Sequence, residues 1–201
     1  MKAIKKGRMI MIITVSRQYG SGGTELAKEI AKRLDIPFYD KSIIDMTAKE
    51  SGFDPEFIKR TENSVTSSLL YNLAVGSIYA QPLTDQLYAA ECKVVRNVAA
   101  KGDGVIVGRC ADYILRDEPN VLKIFVHSTT EDRVKRVCER KGVSENEAKE
   151  LMKKNDKNRS KHYKYYTDRT WGAGQNYDFC INMAVCGVEK AADIVISLIK
   201  K

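Results

Sequence analysis

Ile10-Met11-Ile12-Ile13-Thr14-Val15-Ser16-Arg17-Gln18-Tyr19-Gly20-Ser21-Gly22-Gly23-Thr24-Glu25-Leu26 is the stretch from which the rest of the chain can be read. Its first half is apolar and β-branched and has the length of a strand. A turn with three glycines in four positions follows. Leu26, Ala27, Ile30, Ala31 and Leu34 then fall on one helical face. A strand, a glycine-rich loop and a helix in that order bring backbone N–H groups and the positive end of a helix dipole to one point, which suits phosphate. Residues without Cβ let the backbone wrap closely round an anion.

The stretch approaches the phosphate-binding pattern G-x-x-x-x-G-K-[ST] but departs from it twice. Gly22 and Thr24 are in register, while Arg17 stands at the first glycine and Gly23 at the lysine. A glycine-rich turn that binds nothing is the other reading of this segment taken alone.

At 201 residues the chain has room for one domain with a substantial core, over residues 1–201. A composition of 43% apolar and 30% charged residues is that of a globular protein. The apolar runs are far shorter than the ~20 residues that cross a bilayer, so no membrane partner is expected. Residues 1–9 read as a disordered basic leader, and Met9 or Met11 is an alternative start. The short apolar run after Arg8 lacks the length and the cleavage site of a signal peptide. Cys92, Cys110, Cys138, Cys180 and Cys186 form no CxxC pair, and His127 and His162 are far apart. The pattern speaks against zinc and for reduced thiols in a cytoplasmic protein. The net charge of +8 points to anionic partners.

Beyond the first helix, Asp35 to Asp40 reads as a second strand. A helix starts near Ser42 with Asp45 as a capping partner and stops at Gly52. Asp54-Pro55 restarts one, and Asn63 to Gln81 reads as a loop with a short helix. Leu87, Ala90, Val94 and Val98 define a helix from Thr84 to Lys101. Val105-Ile106-Val107 and Val121 to Val126 are apolar at nearly every position, as in strands buried on both faces of a parallel sheet. Helices open at Thr129 and at the capping box Ser144-Glu145-Asn146-Glu147. A strand over Tyr177–Asn182 and an amphipathic helix over Val188–Lys200 close the chain. Strands alternating with helices predict an α/β fold with a doubly wound parallel sheet.

Such sheets bind ligands at the carboxyl ends of their strands. The glycine loop, Asp40 and Gly108-Arg109 occupy three of these ends and would converge on one crevice, although taken alone Arg109 also reads as a surface or fold-stabilising arginine and Asp40 as a loop cap. Arg133, Arg136, Lys153, Asp156 and Arg159 lie on a basic helix pair that reads either as a lid closing over phosphates or as a solvated charged face. Phosphoryl transfer needs such donors, because its transition state spreads charge over equatorial oxygens.

Ser16-Arg17-Gln18-Tyr19-Gly20-Ser21-Gly22-Gly23, Phe38-Tyr39-Asp40, Gly108-Arg109-Cys110-Ala111-Asp112 and Asp156-x-x-Arg159-x-x-x-Tyr163 together resemble the cytidylate kinase-like family. The resemblance implies a three-layer P-loop NTPase fold with a five-stranded parallel sheet in the order 2-3-1-4-5. It also implies a helical NMP-binding region over residues 41–101 and a lid over residues 130–171. ATP and Mg²⁺ would be the cofactors, with Thr24 holding the metal through its hydroxyl. Ser16, Arg17, Gly20, Ser21, Gly22, Gly23 and Thr24 would hold phosphate, and Asp40 and Arg109 the acceptor. Arg17, Arg133, Arg136, Asp156 and Arg159 would form the catalytic set, with Arg17 swinging over the phosphate in the missing lysine's place. Cys110 departs from the family's aspartate at that position.

The expected function is ATP-dependent phosphoryl transfer to a nucleoside monophosphate or similar small acceptor. A non-catalytic nucleotide or anion sensor is the alternative. Nucleic-acid binding ranks third, since no sequence signature of such a module is present. The helix from Thr84 to Lys101 and the apolar run Leu69–Ala80 offer a surface for a homodimer.

Overall fold

The computed structural model describes residues 11–54, 56, 58 and 83–199. The leader, the Asn63–Gln81 segment and the Leu69–Ala80 half of the dimer surface lie outside the described residues.

Strand β1 (Ile12–Arg17) is the centre of a parallel sheet. It leads through the glycine loop into α1 (Gly23–Leu34), then β2 (Phe38–Tyr39) and α2 (Ser42–Ser51). Next come α3 (Leu83–Ala100), β3 (Gly104–Val107), the short α4 (Ala111–Ile114) and β4 (Val121–His127). The chain ends with α5 (Thr130–Lys141), α6 (Glu145–Thr167), β5 (Phe179–Asn182) and α7 (Met183–Ile199). The sheet order is β2-β3-β1-β4-β5, with every pair parallel.

The sheet is covered on both faces because its strands alternate between two apolar clusters. Ile13, Val15, Val105 and Val107 pack against Leu26 and Ile30 of α1 and Ala191 and Val195 of α7. Ile12 and Ile106 pack on the other side against Val94, Val95 and Val98 of α3, Ile114 of α4 and Tyr163 of α6. Leu26 and Ile30 are fully buried, each contributing about 1.5–3 kcal/mol relative to exposure. Glycine 52, in the left-handed region, ends α2 as expected. Thr129 caps α5 by accepting from the Asp132 N–H, and Ser144 with Glu147 forms the anticipated capping box.

Three boundaries differ from the sequence reading. The second strand pairs only at Phe38 and Tyr39, because Asp35 takes a left-handed conformation to close α1. The Ser42/Asp45 cap does not form: Lys41 occupies the N-cap position without a side-chain bond. The last helical segment starts at Met183 and is broken by Gly187 at φ 66° and ψ 176°, so Val188 begins its second part.

Candidate active site

The carboxyl ends of β1 and β3, the residue after β2, and α6 enclose a crevice of about 230 Å³. The mouth of α1 opens on a separate pocket of about 320 Å³, lined by Gly20, Gly22, Glu25, Arg136, Glu139 and Arg140. The N-cap of α1 is Gly22, at φ 84°, and no side chain caps the helix, in contrast to α5 and α6. The first-turn N–H groups of a helix need outside partners, so an uncapped start suits an anion. The loop is pressed tightly on α5: a Cβ on Gly20 would lie 2.7 Å from Val137 Cγ2 and 3.0 Å from the Arg133 carbonyl oxygen. A Cβ on Gly22 would lie 3.3 Å from Arg136 Nη1, so Arg136 is the guanidinium that leans over the mouth. Its Nε donates to Asp132 Oδ2 at 3.1 Å. Thr24 is the second residue of α1, in its first turn.

Arg17 takes another direction from the one expected of a lysine substitute. Its stem runs past Gly23, and its Nη1 lies 2.3 Å from where a Cβ on Gly108 would be. Its Nη2 reaches Asp40 Oδ1 at 3.5 Å, while its Nε is buried without a hydrogen-bond partner. The guanidinium thus lies beside Asp40 and Gly108, at the ends of β2 and β3. Burial lowers its pKa, Asp40 raises it, and Arg109 lowers it again.

Arg109 is held in a left-handed backbone conformation at φ 59° and donates from Nη1 to Glu91 Oε1 at 2.7 Å. Glu91 comes from α3 and is 5% exposed. Burial pushes the carboxyl pKa up and the guanidinium pKa down, and the contact between them favours the ionised pair. Arg159, on α6, donates from Nη1 to the Arg17 carbonyl at 2.7 Å, with its guanidinium 5.7 Å from the Tyr19 ring centre. Burial and then the nearby Arg17 lower its pKa to about 9. Asp40 and Glu91 each answer one arginine, and Asp156 is already paired with Arg133. The crevice therefore carries an excess of buried positive charge, which favours an anionic ligand.

Other expected site residues brace the loop. Asp156 Oδ1 accepts from the Tyr19 N–H at 2.7 Å, and Arg133 Nε donates to the Tyr19 carbonyl at 2.8 Å. Arg133 also pairs with Asp156, so the two side chains form a single clamp on Tyr19. The Tyr19 ring packs among Val134, Val137, Ala148 and Met152 between α5 and α6. Ser21 Oγ donates to the Gln18 carbonyl at 2.9 Å, which closes the turn. Ser16 Oγ is 3.3 Å from Asp112 Oδ1, and Tyr163 donates to Asp112 Oδ2 at 2.7 Å. Asp112 is 3% exposed and joins β1, α4 and α6 from beneath the crevice.

The sequence reading assigned no place in the site to Glu91, Asn158 or His162, the last weighed only as a zinc ligand and set aside. Glu91 was detectable as a carboxylate on the apolar stripe between Leu87 and Val94 of α3. Asn158 and His162 line the crevice from α6 and gave no signal beyond their helical spacing.

A parallel sheet in this order, with a glycine loop leading from its central strand into α1, is the fold of a P-loop kinase. Shikimate kinase from Bacteroides thetaiotaomicron aligns over 96% of this chain and all of its own, with a TM-score of 0.58 and 15% identity. A gluconokinase from Sinorhizobium meliloti aligns over 96% and 95%, at 0.54 and 14%. The chain belongs to the cytidylate kinase-like family, whose model matches residues 12–185. A cytidylate kinase of Pyrobaculum neutrophilum is 28% identical over 160 residues, covering 78% of this chain and 76% of that protein. An uncharacterized protein from Eubacterium ventriosum has a solved structure with 31% identity and a TM-score of 0.74, over 95% of this chain and 99% of the other.

Proposed function

We propose that the protein is an ATP-dependent phosphotransferase whose acceptor is a nucleoside monophosphate or a similar small phosphorylated molecule, acting in the cytoplasm. The observation that carries this reading is the convergence of Arg17, Arg109 and Arg159 on one crevice, with the stem of Arg17 running past Gly23, the first residue of the uncapped α1. The family supports the class of reaction. Among the described residues no helix is long and apolar enough to cross a membrane.

In this reading the backbone from Gly20 to Thr24 and the Arg136 guanidinium hold the donor phosphates of ATP. The left-handed Gly22, with the Arg136 guanidinium over it, fits such a cradle. Mg²⁺, when bound, would offset charge on the phosphates, and the Thr24 hydroxyl is the group that would hold it. Arg109 and Arg17 bind the anionic end of the acceptor, with Asp40 and Glu91 keeping the two guanidinium groups aimed. Arg159 lies between the loop and the acceptor wall, where it can stabilise charge developing on the transferred group. Arg133 and Asp156 act through Tyr19, by holding the shape of the loop. The helix pair α5 and α6 serves as the lid, excluding water so that transfer outruns hydrolysis.

A second reading, a nucleotide sensor without turnover, is favoured by one observation. The stem of Arg17 fills the space next to Gly23, where a phosphate-loop lysine would stand. ADP release and calorimetric binding, measured with ATP and each monophosphate, separate the two. Turnover that falls roughly 10²–10³-fold in Arg159→Ala supports the phosphotransferase. Tight binding without ADP release would leave the sensor.

A further inference from the structure

Helix α6 presents Asn155, Asn158, Arg159 and His162 to the crevice, and their bonding differs. Arg159 is tied to the Arg17 carbonyl, and the Asn155 amide donates to the Leu151 carbonyl within its own helix. Neither Asn158 nor His162 has a hydrogen-bond partner among the described residues. Four residues apart, they lie on one helical face about 6 Å apart along the axis.

The imidazole is held from behind. The Tyr166 ring lies 4.8 Å from it at 63°, and the Tyr88 ring 6.2 Å away at 77°. Those two tyrosines stack on each other at 3.8 Å, and Tyr166 donates to the Thr84 carbonyl at 3.0 Å. The packing fixes the ring plane while leaving its nitrogens without protein partners. Burial, and then the nearby Arg109, push the His162 pKa down to about 4, so the ring is neutral near pH 7. The crevice thus has a group of arginines and, on α6 to either side of Arg159 (Asn158 one residue before it and His162 three after), two neutral groups able to donate and accept hydrogen bonds.

We propose that Asn158 and His162 read the uncharged heterocycle of the acceptor, so that α6, the lid helix, selects which phosphomonoester is bound. The arginines take its phosphate. This rests on the phosphotransferase reading for the use of the site, and it moves the choice of acceptor away from the 41–101 region. A pair that merely packs would affect all ligands alike.

The test compares CMP, UMP and AMP with ribose 5-phosphate, which carries the phosphate and lacks a base. Dissociation constants are measured by calorimetry and turnover by ADP release, in the wild type, Asn158→Ala and His162→Phe. His162→Phe keeps a ring in the aromatic cluster and removes its nitrogens. The wild type should prefer one nucleotide over ribose 5-phosphate. Each variant should cut that preference roughly tenfold, the size of one lost hydrogen bond in a discriminating site, and should do so in Kd and KM more than in kcat. The proposal is overturned if the wild type shows no preference, or if the preference survives both substitutions within a factor of two. It is also overturned if all four ligands weaken equally as the melting temperature falls. Nucleotide binding without ADP release would defeat the phosphotransferase reading alone, since the preference is judged on binding.

Discussion

The Cβ and Cγ of Arg17 occupy the space that a side chain at position 23 would need. A Cβ on Gly23 would lie 2.6 Å from Arg17 Cβ and 3.0 Å from Val126 Cβ. Both neighbours are atoms at the base of their side chains and cannot swing aside. The two departures from the phosphate-loop pattern are therefore one packing solution, in which the arginine at 17 requires the glycine at 23.

Restoring the lysine alone should consequently fail. Gly23→Lys is expected to lose about 1–3 kcal/mol through overpacking and to gain no turnover. Arg17→Gly removes the obstructing Cβ, so the double variant Arg17→Gly/Gly23→Lys should recover part of that loss. Urea unfolding of both singles and the double measures the coupling, expected at roughly 0.5–3 kcal/mol for residues in contact. Strictly additive losses would show that the two positions do not compete for the space.

Glu91 holds Arg109 from the interior, and its removal should be felt in stability and in anion binding together. Glu91→Ala should cost about 3–5 kcal/mol, as expected when one partner of a buried ion pair is removed. Glu91→Gln, which keeps the size and an acceptor oxygen, should cost less. In both variants inorganic phosphate should raise the melting temperature by more than in the wild type, because the anion replaces the lost carboxylate. An equal thermal shift in all three proteins would mean that Arg109 does not face the anion.

Much of this arrangement is legible in the chain because the signals are local. Strand, glycine loop and helix are contiguous from Ile12 to Leu34, and Thr129 and Ser144 cap their helices with groups close in sequence. The direction of Arg17 is not local. It depends on missing Cβ atoms at Gly23 and Gly108, the second far away on another strand end. Arg133 and Asp156 carry charges that read as catalytic, and only tertiary packing turns them onto the Tyr19 backbone. Gly187 hid the start of α7, because a break in the helical pattern looks like a beginning.

His162 should leave a signature in the acid limb of stability. Its pKa falls from the ordinary 6.5 to about 4 in the folded protein. Between those values the unfolded chain binds more protons than the native one, so stability declines as pH falls from 6.5 toward 4. His162→Phe removes this contribution, and its urea midpoint should fall less steeply than that of the wild type in the same window. Parallel profiles would mean that the imidazole titrates normally and carries its charge into the crevice.

Asp156 distinguishes bracing the loop from acting on the transferred group. Its two oxygens are engaged by the Tyr19 N–H and by Arg133, and it contributes no wall to the crevice. Asp156→Asn keeps an acceptor for Tyr19 but loses the ion pair, and should cost roughly 1.5–3 kcal/mol in unfolding. Because the loop then holds its shape less well, the KM for ATP should rise. At saturating ATP, kcat should fall far less than in Arg159→Ala. A kcat loss as large as that of Arg159→Ala, with an unchanged KM, would place the carboxylate at the reacting atoms and take Tyr19 out of its account.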